Sequence, residues 1–301
     1  MPAVEPSIND AEPPPCAAPD AHPRKPRLVL PPLACDCHAH ICGPRERYPY
    51  WSGRVYTPPD CLLPAYRHLL ATLGVQRAVL VQPSVYGSDN ATLIDALQVA
   101  GPHFRGVAVV DENVDAGQLE LMHAAGVRGV RCNIVDIDAD KGKLPLAMLQ
   151  RLAQKIAPLG WHIELLMHAD EFPDMDHTFA ELPVEVVLGH LGYLRTEKGI
   201  DDPGFQSLLR LMRAGRAWVK LTGPYRISSQ ALPYPDTVPF ALALLEAAPQ
   251  RVVWGSDWPH VMLKGSMPND GDLCDVLSTW IPDAALRKQV LVDNPATLYG
   301  F

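Results

Sequence analysis

From residue 33 onward the chain alternates short, nearly continuous apolar runs with longer stretches in which apolar residues recur three and four positions apart. The runs are ACDCHAHI (34–41), RAVLVQPS (77–84), RGVAVV (105–110), VRGVRCNIV (127–135), HIELLMH (162–168), VEVVLGHLG (184–192), AWVKLTG (217–223) and RVVWGSDWPH (251–260). Apolar character at consecutive positions fits strands covered on both faces, whereas a half-exposed strand would alternate. Between them, CLLPAYRHLLATLG, NATLIDALQVAG, AGQLELMHAAG and FQSLLRLMRAG carry the helical period. Gly74, Gly101, Gly126, Gly160 and Gly215 fall where a helix end calls for glycine. Strand–helix alternation implies right-handed βαβ units on a parallel sheet. Eight such units predict an α/β fold, a single (β/α)8 TIM barrel over residues 33–301. A doubly wound open sheet is the alternative, but no glycine-rich phosphate loop follows the first run.

Residues 1–32 break the pattern. They hold ten of the 31 prolines and show no hydrophobic period, so they are expected to form a flexible, disordered Pro-rich arm dispensable for catalysis. What remains is about the ~250 residues that such barrels occupy. At 48% hydrophobic and 20% charged residues, the chain is no wholly disordered protein. A net charge of -8 argues against nucleic acid as a partner. No apolar run reaches the ~18 residues of a membrane span, and the first thirty residues lack the apolar core of a secretory signal. Seven cysteines scattered through a large chain fit reduced thiols and a cytoplasmic location. A homo-oligomer is compatible with all of this.

In barrels of this type chemistry sits at the C-terminal ends of the strands, and polar residues gather there in this sequence. The first run ends in Asp36-Cys37-His38-Ala39-His40, and a period of two puts both imidazoles on one side. The sixth runs into Gly189-His190 and the eighth into Ser256-Asp257-Trp258-Pro259-His260. The fourth places Arg131 and Asn133 on one face, and the second ends in Gln82-Pro83-Ser84. Any one of these is commonly a packed histidine or a turn residue. Together they converge on one mouth if the barrel forms. Cys35, Cys37 and Cys42 bracket the two histidines but match no structural zinc spacing, and are expected to be packed thiols. Trp258, beside Asp257, is a candidate pocket wall.

ACDCHAHICGP, RAVLVQPSVYGSDN, AGVRGVRCNIV, VVLGHLG, VKLTGPYRIS and RVVWGSDWPH, taken in order, resemble the amidohydrolase superfamily in its amidohydrolase-2 branch. Within that branch the likeness is to 2-pyrone-4,6-dicarboxylate lactonase and related sugar-acid lactonases, over about residues 33–301. The resemblance implies a barrel hydrolase opening a lactone of a small carboxylic acid, with His38, His40, His190 and Asp257 as catalytic residues. Asp257 would take a proton from water while imidazoles polarise the ester carbonyl. Arg131 and Arg226 would hold a substrate carboxylate, and Tyr56, Ser84 and Asn133 would orient it.

The lactonase branch is expected to work without a cofactor. The alternative is a single divalent metal, zinc being suited to an N/O set of His38, His40, His168 and Asp257. The resemblance also implies a further basic residue past the fourth strand, an aromatic hydroxyl ending the fifth and an arginine three residues beyond the sixth-strand histidine. This chain has Val135-Asp136-Ile137, Leu165-Leu166-Met167 and Tyr193 at those places. Fewer cations imply a substrate with one carboxylate or none. A metal-dependent decarboxylase, a lactone isomerase and a non-catalytic binding protein are the competing readings.

Overall fold

The computed structural model describes residues 12–135 and 144–301. Eight parallel strands form one sheet in sequence order: β1 (Cys35–Ala39), β2 (Arg77–Val81), β3 (Phe104–Ala108), β4 (Val127–Asn133), β5 (His162–Leu166), β6 (Val186–Leu188), β7 (Ala217–Leu221) and β8 (Val252–Trp254). The expected (β/α)8 barrel is present. Each strand lies within its apolar run or within a residue of it, and most stop short of the polar tail. Those tails are the strand-to-helix loops that form the barrel mouth.

Helices follow the strands as α1 (Leu63–Leu73), α2 (Ala91–Ala100), α3 (Ala116–Ala124), α4 (Leu146–Ile156), α5 (Met175–Ala180), α6 (Pro203–Arg213) and α7 (Val238–Ala247). Their ends obey local chemistry. Asp115 and Gln118 cap α3 reciprocally, and Gly74 ends α1 in the left-handed conformation at φ 80°. The seven cysteines form no disulfide. Among the described residues no helix is long and apolar enough to cross a membrane.

The barrel closes where β8 meets β1. His40 N donates to the Trp258 carbonyl (2.8 Å), and Asp257 N donates to the His38 carbonyl (2.9 Å). Gly255 makes this approach feasible, since a Cβ there would sit 2.6 Å from the Cβ of His38. Cys35 and Cys37 pack inside the barrel with Val79, Val81, Val187 and Val253, as expected of small thiols. Asp36 points the other way, to the Tyr66 hydroxyl on α1. Strict alternation would send His38 outward after Asp36. The register of β1 on β2 instead slips between Asp36 and Ala39, and past that irregularity His38 faces inward. Trp258, proposed from the sequence as a pocket wall, is buried and stacks on Tyr66 with ring centroids 5.2 Å apart.

Residues 12–30 depart from the expected free arm. Pro15 pairs with Thr57 through bonds from Cys16 N to the Thr57 carbonyl (2.8 Å) and from Thr57 N to the Pro14 carbonyl (2.9 Å). Asn269 Nδ2 donates to Asp20 (2.7 Å), and Asn269 Oδ1 accepts from Arg24 N (2.9 Å). Asp275 accepts from Leu28 N (2.9 Å), and Leu30 is buried. The prolines do remove donors, as read from the sequence. The donors that remain are served by side chains of the barrel, which periodicity does not register. The Thr57 contacts hold the loop after β1, and those to Asn269 and Asp275 hold the helix Asp270–Asp275 that ends the loop carrying Asp257. Deleting residues 1–30 is therefore expected to lower Tm by about 5 °C or more, each lost hydrogen bond counting for ~0.5–1.5 kcal/mol. An unchanged Tm and unchanged turnover in the truncated chain would restore the free-arm expectation.

Candidate active site

The inward-turned His38, His40, His190 and Asp257 meet at the barrel mouth. The His38 ring lies 5.0 Å from that of His40 and 5.3 Å from that of His190, centroid to centroid. All four residues are buried. A chamber of about 200 Å³ opens onto them, lined by His40, His190, Asp257, Arg131, Tyr56 and Ser84, with Asn133, Tyr193, Arg226 and Lys264 also on its wall. Every catalytic and substrate-binding residue expected from the sequence, save the more deeply placed His38, thus faces one chamber.

Asp257 has two unlike oxygens. Oδ2 accepts from Arg226 Nε (2.7 Å) and from the Tyr225 hydroxyl (2.6 Å). Oδ1 has no hydrogen-bond partner and lies 3.6 Å from His38 Nε2, which also has none. Burial alone would raise the Asp257 carboxyl, but the Arg226 guanidinium beside it holds it well below the usual carboxylate range. It is ionised at neutral pH. Gly223 belongs to this arrangement: at φ +54° a Cβ would fall 2.7 Å from Asp257 Oδ2 and 2.8 Å from His190 Nδ1.

The imidazoles are neutral. Burial, with Arg131 adding to it, lowers His40 to about 4, and burial with Arg226 lowers His190 to about 3. Burial and then Lys220 push His38 well down too. Their tautomers follow from their partners, because a carbonyl oxygen can only accept. His40 Nδ1 meets the Val81 carbonyl at 2.7 Å and His190 Nδ1 meets the Thr222 carbonyl at 3.3 Å. Each ring proton is therefore on Nδ1, and each Nε2 is left with a lone pair. Neutral rings of this kind cannot donate to an oxyanion, so the expected polarisation of a carbonyl by His40 and His190 lacks its N–H.

The same lone pairs suit a cation. His38, His40 and Asp257 each offer a ligand atom, all within 4.8 Å of one another. The unpartnered His38 Nε2 and Asp257 Oδ1 are what such a site leaves bare. His168 is not brought into this group. Its Nδ1 meets the Tyr193 carbonyl at 2.9 Å, and its ring stacks on that of Tyr193 at 4.6 Å. One residue separates His168 from the end of β5, enough for the ring to turn into the neighbouring loop.

Arg226 also differs from its expected role. Its Nε is on Asp257 and its Nη2 on the Val261 carbonyl (3.0 Å), so it holds the carboxylate of the chain itself. Arg131 donates to the Gln82 carbonyl (3.1 Å) and keeps its place on the chamber wall. Of the departures from the lactonase pattern, Asp136 and Ile137 lie outside the described residues; Leu166 and Tyr193 line the chamber.

Several participants were not read from the sequence. Lys220 Nζ lies 2.5 Å from Glu164 and 3.3 Å from His38 Nδ1, which is itself 3.2 Å from Glu164 Oε1. The signal existed, as a charge inside each of two apolar strands, AWVKL and HIELL. Behind Asp257 the Tyr225 hydroxyl meets His260 Nδ1 (2.8 Å), and His260 Nε2 meets Asp270 (3.1 Å). Nothing in the spacing of Tyr225 and Asp270 announces that link. The loops bearing these groups are strained: His190, Leu191, Tyr193, Asp257, His260 and Met262 all have positive φ. Such strain in non-glycine residues persists where the surroundings over-determine it, commonly at functional sites.

A family model described as Amidohydrolase matches residues 35–301. The chain is 39% identical over 288 residues to a 2-pyrone-4,6-dicarboxylate hydrolase of Comamonas testosteroni, covering 93% of this chain and 94% of that one. It is 37% identical over 289 residues to a 4-sulfomuconolactone hydrolase of Hydrogenophaga intermedia, covering 95% of each. A D-galactarolactone isomerase of Agrobacterium fabrum is 28% identical over 91% of this chain and 93% of its own. Among solved structures, an apo protein of Agrobacterium tumefaciens superposes with a TM-score of 0.81 at 27% identity, covering 92% of this chain and 98% of that one. The ordered strand-end residues and the match over the whole barrel lead to one conclusion: the chain belongs to the Amidohydrolase family.

Proposed function

We propose that the chain hydrolyses the ring ester of a small lactone, with Asp257 taking the proton of the attacking water. The observation that carries this reading is the division of Asp257. One oxygen is anchored by Arg226 and Tyr225; the other is free, ionised and directed among three neutral imidazoles. The names of the relatives support a cyclic ester as the substrate class. The water oxygen bonds to the ring carbonyl carbon, the ring C–O bond breaks, and the proton received by Asp257 passes to the departing ring oxygen. Arg131 is the cation placed to hold a carboxylate of the substrate, with Ser84, Tyr56 and Asn133 beside it.

A carboxylate held so far below its usual range is a weak base, so it needs a water more acidic than bulk water. His38, His40 and Asp257 would hold one divalent ion, zinc suiting the donor set. When bound, that ion supplies Lewis-acid polarisation of the carbonyl and raises the acidity of the water. The lone pairs of His40 and the anchored ring of His38 favour this over the metal-free reading.

Asp257→Asn keeps the shape and removes the basicity, so kcat is expected to fall by ~10²-fold or more in a protein that stays folded, with some loss of Tm as Arg226 loses its counter-charge. Near-normal turnover of a lactone panel by that variant would sink the assignment; conversion to a rearranged lactone with no ring-opened acid would point to an isomerase. Arg131→Met is expected to cost ~1.5–3 kcal/mol, or ~10- to 100-fold in kcat/KM, on lactones bearing a carboxylate and much less on neutral ones. An equal loss on both would make Arg131 structural.

Metal binding can be read without turnover. Calorimetric titration of chelator-treated protein with zinc chloride is expected to show one strong site. That site should be lost in His40→Asn and kept in His168→Ala. Because burial lowers His40 to about 4, its neutral form persists through mildly acid solution, and ion binding is lost only as pH falls through that value. Absence of zinc binding, with turnover unaffected by chelation, would return the mechanism to imidazole and arginine alone.

A further inference from the structure

A second cavity, of about 330 Å³, adjoins the catalytic chamber, and Ser84, Arg131 and Asn133 line both. Its remaining wall is largely apolar: Trp51, Val55, Val109, Val110, Cys132 and Met148. Trp51 and Val55, both on this wall, are 55% and 44% exposed, so an apolar group seated there would remove their surface from water. The catalytic chamber alone, at about 200 Å³, is smaller than the ~300–1,000 Å³ usual for small-molecule sites. We infer that the two form one divided site, with the lactone ring in the polar chamber and an alkyl or aryl substituent of the same substrate in the apolar cavity.

Charge favours this occupant over a second anionic group. Besides the shared Arg131, the cation on the cavity wall among the described residues is Arg54, and its charge is already paired with Glu12. Arg54 Nε donates to Thr57 Oγ1 (3.2 Å), Nη1 to the Trp51 carbonyl (3.3 Å) and Nη2 to Glu12 (3.1 Å). An anion entering there would lose its hydration beside a guanidinium that Glu12 already neutralises, whereas an apolar group would cover Trp51 and Val55. The substrate class is thus a lactone with at most one carboxylate, at the Arg131 end, and an apolar arm. This rests on the lactonase reading proposed above.

The test is a series of five-membered lactones, each with one carboxylate and one substituent lengthened from methyl to hexyl. With the full-length protein, kcat/KM is expected to rise by about threefold to fourfold per methylene until the cavity is filled. Val110→Trp, which fills the cavity, should flatten the series while leaving the methyl compound within about twofold of wild type, the scatter ordinary for a remote substitution. Met148→Trp, from the helix Leu146–Ile156 on the same cavity wall, serves if Val110→Trp does not fold. Calorimetric titration with the ring-opened hydroxy acids of the same series reads the cavity without turnover. A flat series in the wild type, with the methyl lactone hydrolysed, overturns the divided site and leaves the lactonase reading standing. If no lactone is hydrolysed, that reading fails, and the titration decides the cavity alone: affinity rising with chain length and flattened by Val110→Trp supports it, and a flat series overturns it. Concentration-dependent dimerisation abolished by Val110→Trp would assign the apolar wall to a second copy of the chain instead and overturn the proposal.

Discussion

Closure of the barrel between β8 and β1 is the contact on which the site depends, and a buried carboxylate fastens it. Asp36 accepts from Ser256 N (2.8 Å), Ser256 Oγ (2.5 Å), His38 N (3.1 Å) and the Tyr66 hydroxyl (2.9 Å). These bonds tie the loop bearing Asp257 to the strand bearing His38 and to α1. Burial raises Asp36 to about 6 even though all four donors favour its ionised form. The sign of the linkage is informative. A carboxyl raised above its unfolded value of ~3.9 gives stability that is present below that value and lost as pH rises through about 6. At neutral pH the fastening is thus held at some cost in stability, in return for a fixed relation between His38 and Asp257.

The same trade governs the charges around the site. Lys220 with Glu164 and Arg226 with Asp257 are ion pairs buried in the barrel mouth, a kind that often contributes little net stability. Their value is positional. Lys220 and Glu164 fix the His38 ring from behind, and Arg226 with Tyr225 turns one Asp257 oxygen away from solvent. With those cations present, burial leaves all three imidazoles neutral, so the mouth offers one carboxylate and several lone pairs. That is a binding set for a cation more than an oxyanion hole.

The strand order, the barrel and the residues of the mouth were legible because each depends on side-chain type and period alone. The tails of the apolar runs marked the mouth correctly, since a polar residue at the end of a doubly covered strand has nowhere else to go. What was hidden depends on partners distant in sequence. The ring proton of His40 is fixed by the Val81 carbonyl, and Arg226 is taken by Asp257, so neither role could be read from its own surroundings. His38 stands beside His40 as the period of two implies, but its inward direction rests on a register slip in β1 that strict alternation does not contain. Residues 12–30 carry no period because their prolines lack donors, while Asn269 and Asp275 supply partners for the remaining donors from far along the chain.

Strain and support are distributed to match. Asp257, His260 and Met262 hold positive φ within six residues of one loop, a conformation costing of order 1–3 kcal/mol each in non-glycine residues. Such a loop keeps its shape only if held from outside. Seam bonds hold its start, Asp270 holds His260 from beneath, and the N-terminal segment covers its far end through Cys16, which accepts from Met262 N at 3.3 Å. The apolar cavity lies beyond these restraints, walled by residues after β1, β2 and β3 and by α4. Changes there leave the seam, the ion pairs and Asp257 untouched. The structure therefore separates the braced loop that carries Asp257 from a cavity wall free to vary, and on the proposed lactonase reading substitutions on that wall alter selectivity without disturbing Asp257.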